Sequence, residues 1–432
     1  MSFNDALSIG VMGMRAHGKA MTTISNNIAN VSTVGFKRSE TRFSDLVTPE
    51  TGKTASGKGV SGKGVVARDQ NFIGKSGQIA TTGRELDVAI SGRGFFRVTK
   101  SLEGDAPTTG IQPGTLYTRA GAFAMTETES GKYLTTQEGY FVHGWEVDPD
   151  TAEVSGTPGP MRFSRYGIMP QEATSTVRLV GYLPADGTVL EAPVTFLAYA
   201  QDTLPEDAAG QDAAIGSPGA DGSITIPALP DPASTTYAYT LQWNGTGWEL
   251  HDPANALVGA LTVSGDSIQP LTHNGFTFDF SAMEFSGTGT NGVSASADGY
   301  ARGRLTGYIT DRDGNVVEQF DNGQRRARYK LALYNVVNED LMKPVGDSYF
   351  TANISRLTPS LADPLRTGAF VEAVDGDSHN VTASIVSEAL EGSNVDLAQE
   401  MTNLIVAQRN YQAISKTVTT ADQMLQTLVQ MA

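Results

Sequence analysis

The stretch SGKGVSGKG, from Ser56 to Gly64, sets glycines and lysines close to the spacing of a loop that cradles phosphate on backbone amides. Gly57 and Gly62 have the right separation and Lys63 follows. However, Gly64 stands where a hydroxyl must meet magnesium, and no apolar strand leads into the loop. A dinucleotide loop fails in the same way at Gly92 and Gly94, because Arg97 occupies the place of the third glycine. Asp311 and Asp313 flank a turn at Gly314 but lack the further ligand and the distal glutamate of a calcium loop, so DRDGN reads as a hairpin turn. The histidines, His17, His143, His251, His273 and His379, include no pair four residues apart of the kind that holds zinc on a helix. No G-x-S-x-G elbow occurs, and the absence of cysteine removes thiolate nucleophiles, disulfides and cysteine-ligated metal. Asn244-Gly-Thr fits a glycosylation acceptor, a pattern common by chance. The expectation is a protein with no catalytic residues, cofactor or metal, and not an enzyme.

Composition points the same way. The chain has 432 residues, 47 of them glycine and 19 proline, with only 18% charged, a profile of several β-rich domains with many turns. A net charge of -16 argues against nucleic acid or an anionic membrane as partner. No apolar run approaches the roughly 20 residues of a membrane span. Asp5 precedes any Lys or Arg, and Arg15 and His17 interrupt the first apolar stretch. That is not a cleaved signal peptide, so the expectation is a chain that is cytoplasmic or exported with its N-terminus uncut.

The two ends share one period. Phe3, Leu7, Gly10, Met14, His17, Met21, Ile24 and Ile28 recur in steps of three and four, the seam of a coiled coil. Gly10, Gly13 and Gly18 weaken it by about 1 kcal/mol each relative to alanine, so this helix needs a partner. Leu397, Met401, Leu404, Ala407, Tyr411, Ile414, Val418, Ala421, Leu425 and Leu428 offer one, with Ser393 or Asn394 as the expected N-cap. Between the ends the period falls to two. Leu86, Val88 and Ile90 alternate, Tyr133–Val147 reads as two strands about Glu138-Gly139, and Leu305–Val336 as three about Asp313-Gly314 and Asn322-Gly323. Leu241–Leu250 forms another hairpin at Asn244-Gly245. Thr51–Gly64 reads as flexible in isolation and Gln201–Ser223 as a long exposed loop. Trp145, Trp243 and Trp248 in hairpins leave open a different class, a β-rich surface-binding module that takes sugars.

MSFNDALSIG with SNNIANVSTVGFKRS near one end, and LEGSNVDLAQEMTNLIVAQRNYQAISKTVTTADQMLQTLVQM near the other, resemble the terminal signatures of bacterial flagellar axial proteins. Those are the rod, hook and hook-associated subunits. DVAISGRGFFRV, from Asp87 to Val98, resembles the start of the family's first globular domain. About 150 residues separate YFVHGWEVDP from DGYARGRLTGYITDRDGN, enough for a second β domain, and STVRLVGYLPADG resembles its opening strand. The insert points to a hook-type subunit, with distal rod or hook-associated roles as the alternative.

The resemblance implies a mainly β, multidomain fold whose terminal helices pair as a coiled coil, with an outer β domain inserted in an inner one. The expected limits are a helix over 1–30, an extended linker over 31–70, the inner domain over 71–146 and 300–375, its insert over 147–299, and a C-terminal linker and helix over 376–432. It further implies a homopolymer forming a bendable tube in the flagellum around an export channel. Rod, hook-filament junction and cap proteins and the export apparatus would be its partners, with no membrane insertion. Asn26, Asn27 and Asn30 would satisfy helix-terminal carbonyls or neighbouring subunits, while Gly35 and Phe36 supply a bend and an apolar anchor.

Overall fold

The computed structural model describes residues 3–54, 57–100, 115–148, 151, 153–184, 191–202, 204, 234–244, 246–264, 267–286, 292–336, 342–352, 370–372 and 383–431. The chain opens with helix α1 (Phe3–Ala29) and closes with helix α2 (Leu397–Met431). Among the described residues the regular elements between them are strands, so the fold is mainly β with helical ends.

Directly after α1, β1 (Ser39–Thr54) and β2 (Gly57–Asn71) form a long antiparallel hairpin. This differs from the flexible stretch expected at Thr51–Gly64 and from the simple extended linker expected over 31–70. Alternation there is obscured by Gly and Lys, and the hairpin gains its partner surface from α1.

A 15-stranded sheet follows, built from both flanks of the central insert. Its core gathers Phe96, Phe123, Leu134, Val142, Phe163, Val316 and Leu331. A neighbouring cluster holds Phe95, Tyr117, Trp145, Tyr334 and Phe350. The hairpins at Gly139, Gly314 and Gly323 are present, each glycine with φ between +82° and +85°. Asp311 accepts backbone N–H bonds from Asp313 and Asn315 at 2.9 and 2.8 Å, which makes DRDGN a turn. Val88–Ser91 does not alternate: Val88, Ala89 and Ile90 are all fully buried, because both of its faces are covered.

The expected boundary at residue 147 falls inside this sheet. Val154–Pro160 pairs with Phe141–Val147, Arg162–Phe163 with Gly131–Thr136, and Ile168–Met169 with Gly303–Thr310. The chain leaves only after Met169, through a neck where the Glu172 N–H donates to the Tyr300 carbonyl at 3.1 Å.

Beyond the neck, two four-stranded sheets pack around Val177, Leu179, Phe196, Tyr239, Leu250, Phe278 and Phe280. The strand Glu191–Tyr199 alternates buried and exposed residues, as one-sided packing requires. Trp243 and Trp248 pack edge-on within or against this core at 5.8 Å, and Trp145 is buried in the large sheet, so the three tryptophans form no exposed sugar platform. Most of the expected loop Gln201–Ser223 lies outside the described residues.

At the neck, Arg302 grips Asp202 with two bonds of 2.8 and 2.9 Å. Burial pushes the Asp202 carboxyl up, but bonds from Arg302 and from the Gln171 and Leu204 amides outweigh it and hold the group below the usual carboxylate range.

Candidate assembly site

Helix α1 is poor by propensity and is supported on two sides. On one side α2 runs antiparallel to it, as Gly10 faces Val418 and Gly13 faces Ile414. A methyl carbon at Gly10 would lie 2.6 Å from Val418 Cγ2, and one at Gly13 would lie 3.3 Å from Ile414 Cδ1. The glycines expected to weaken the helix therefore allow its partner to approach closely. On the other side the hairpin packs: Lys19 pairs with Asp69 at 3.1 Å, and Thr23 and Thr41 both donate to the same carboxylate. Ala16 and Ala20 are the buried apolar residues of α1. Leu7, Met14, Met21, Ile24 and Ile28 are half-buried beside them.

On α2, Leu404, Ile414, Val418 and Ala421 are half-buried and Ala407 is buried, whereas Leu397, Met401 and Tyr411 are exposed. The periodic stripe runs past the contact at its first turns, where Glu400 takes the inward place and meets Arg38 at 3.6 Å. The side chains of Phe3, Leu425 and Leu428 lie outside the described set. The N-cap of α2 is Asp396, whose Oδ1 accepts the Ala398 and Gln399 amides at 3.0 and 3.1 Å, not Ser393 or Asn394.

The asparagines end α1 in distinct ways. Asn27 is fully buried; its Nδ2 donates to the Ser39 carbonyl at 2.7 Å and its Oδ1 accepts the Ser39 N–H at 3.0 Å. The side chain thus stands in for a neighbouring strand at the start of β1. Asn30 donates to the helix-terminal carbonyl of Asn26 at 2.9 Å and accepts from Thr33. Asn26 is exposed. Gly35 turns with φ +67° against Arg119 and Ala120, where a methyl carbon would come within 2.7 Å of the Ala120 nitrogen. Phe36 is half-buried, and its carbonyl accepts the Asn394 amide.

These turns deliver Lys37 into a charge cluster with no exposed side chain. Lys37 Nζ meets Glu391 Oε1 at 2.6 Å, and Arg119 Nη1 meets Glu391 Oε2 at 3.0 Å. The Gly77 amide also donates to Oε1 at 2.6 Å, Lys37 donates to the Lys75 carbonyl, and Arg119 donates to the Gly92 carbonyl. Buried charges persist where each is both paired and hydrogen-bonded, as here. Beside them Asn394 accepts the Arg38 amide at 2.7 Å and donates to the Phe72 and Lys75 carbonyls. The cluster fastens both terminal linkers to the large sheet. Sequence reasoning missed the roles of Lys37, Arg119 and Glu391, and gave Asn394 only as a candidate N-cap. Lys37, Glu391 and Asn394 lie inside the terminal motifs, which was the available signal, whereas Arg119 lies outside them and carried none.

Among the described residues, no group of three or more histidines and carboxylates is placed to hold a metal ion, and no helix is long and apolar enough to cross a membrane.

Comparison with known proteins matches residues 7–37 to the family described as flagella basal body rod protein. Residues 386–431 match the family described as flagellar basal body rod FlgEFG protein C-terminal. The flagellar hook protein FlgE of Rhizobium meliloti is 31% identical over 99% of both chains. That of Salmonella typhimurium is 27% identical, again over 99% of both. Among solved structures, Helicobacter pylori flagellar hook protein FlgE2 covers 72% of this chain and 100% of its own, at 12% identity and a TM-score of 0.42. The terminal matches alone would suit a rod subunit, but the alignment to the hook relatives runs from end to end through the central insert, and the chain belongs to the flagellar hook protein family.

Proposed function

We infer that many copies of this structural subunit stack into the bendable tube of the flagellar hook, with the paired terminal helices as the assembly arm. The observation that carries this reading is the near-complete alignment with hook relatives over 99% of both chains. Physical support comes from an arm that projects apolar side chains into solvent: Met401, Ile405, Val406 and Met424 are each 44–56% exposed. A repeated contact between unlike surfaces that does not close on itself grows into a filament. We assign 1–30 and 397–431 to the inner arm, the large sheet to an inner body, and the sandwich between residues 172 and 300 to an outer body. The arm would line an export channel, and rod, junction and cap proteins would meet the ends of the tube.

The test is Ile414→Asp beside Gln412→Asp. Ile414 sits in the seam opposite Gly13, so an unpaired carboxylate there costs about 3–5 kcal/mol of helix pairing. Sedimentation should show no polymer for Ile414→Asp and near-normal polymer for the exposed Gln412→Asp. The melting temperature of the β bodies should be unchanged in both. Normal polymer from Ile414→Asp would overturn the role given to the arm.

A further inference from the structure

A cavity of about 450 Å³ lies between α1, β1 and α2. Its apolar lining comes from Ala20, Ile24, Phe43 and Val406, and its polar lining includes the α2 amides of Asn403 and Asn410 and the charged side chains of Arg38, Glu40 and Glu400. On the other flank of α2, Leu397, Met401 and Ile405 stand 44%, 44% and 52% exposed, four residues apart. We propose that this stripe on one copy seats in the cavity between β1 and α2 of the next copy around the tube. The proposal rests on the tube reading above and names the surfaces that meet.

Three observations carry it. At 100° per residue, the stripe and the cavity-lining positions of α2 are separated by roughly 160° around the helix, at the same level along it. One subunit therefore presents knob and hole on opposite flanks, the arrangement that a repeated rotation about an axis requires. Three side chains at four-residue steps span roughly 12 Å, within the length of helix that lines the cavity. The stripe carries no charge, and the charged side chains of the cavity are paired with one another, Arg38 with Glu400 at 3.6 Å and with Glu40 at 3.8 Å, so seating the stripe leaves each ion its partner. Both surfaces are also held before they meet. The Asp396 cap and the Arg38–Glu400 contact both fix the first turn of α2, which lowers the ordering cost of association.

The lack of native cysteine makes the contact directly readable. Two full-length single variants, Met401→Cys and Asn403→Cys, would be polymerised separately and as a mixture, then treated with a short bismaleimide. Crosslinked dimers should form in the mixed polymer and be at least tenfold rarer in either polymer alone. Dimers from Met401→Cys alone would mean that stripe packs on stripe, and polymer without mixed dimers would mean that the cavity is filled by something else. Either result overturns the proposal. Failure of the unaltered chain to polymerise would instead overturn the tube reading itself. As an independent measurement, Met401→Glu, which would meet Glu40 and Glu400 in the cavity, should reduce pelletable polymer at least tenfold, and adding Asn403→Lys in the same chain should restore it. Normal assembly of Met401→Glu, or no rescue, also overturns the contact.

Discussion

Glu391 takes donors from Lys37, Gly77 and Arg119 in a space with no water-exposed side chain among the charged three. Replacing it with glutamine keeps the shape but leaves two buried cations without a counter-charge, a loss of about 3–5 kcal/mol. Glu391→Gln should release the arm from the large sheet, seen as faster amide exchange in α1 and at Gly77. Lys37→Met added to it should recover part of the loss, since one stranded charge is then gone. His143 offers a different residue-scale effect. Burial foremost, and the charge of Arg97, lower its pKa from 6.5 to about 3, while Thr99 Oγ1 lies 2.9 Å from its Nε2. The unfolded chain then binds the extra proton first, so stability is full above about 6.5 and declines as pH falls toward about 3. In His143→Gln, thermal unfolding between those values should depend less steeply on pH.

The helical arm shows how two glycines of one helix can have opposite roles. Gly10 lies where a methyl carbon would meet Val418 Cγ2 at 2.6 Å, whereas Gly18 has nothing within 4 Å. Gly10→Ala should push α2 away and weaken pairing by about 1–3 kcal/mol. Gly18→Ala should stabilise α1 by about 1 kcal/mol through propensity alone. Limited proteolysis of the arm in the two variants should move in opposite directions. The element scale also shows what the sequence made legible. Asp-Gly and Asn-Gly turns announce hairpins because their chemistry is local, and the heptad steps announce α1 and α2. The closeness of Gly10 to Val418 was invisible, since it is a property of two segments and not of one. The long hairpin of β1 and β2 was hidden for the same reason: its strands are held by α1 through Asp69, not by an alternating pattern of their own.

At the scale of the whole molecule, the inserted sandwich hangs from a neck fixed by Glu172, Tyr300 and the Asp202–Arg302 pair. Deleting residues 173–299, with Arg302→Gln to avoid stranding its charge, should leave the large sheet folded at nearly its original melting temperature. The shortened chain should still form tubes, with altered curvature in electron micrographs. The insert was legible from the length between its flanking motifs, but its limits were not, because Val154–Met169 returns to the large sheet through pairings distant in sequence. The charged joint was the least legible feature, for Lys37 and Glu391 stand 354 positions apart. That separation has a consequence for manufacture. The length-dependent part of closing so large a ring is only about 5 kcal/mol, small enough for a few charged contacts to offset. A chain cut short anywhere before Glu391 has no carboxylate to place between Lys37 and Arg119. Its N-terminal linker then lacks this fastening, so the joint forms only once the chain is present through Glu391.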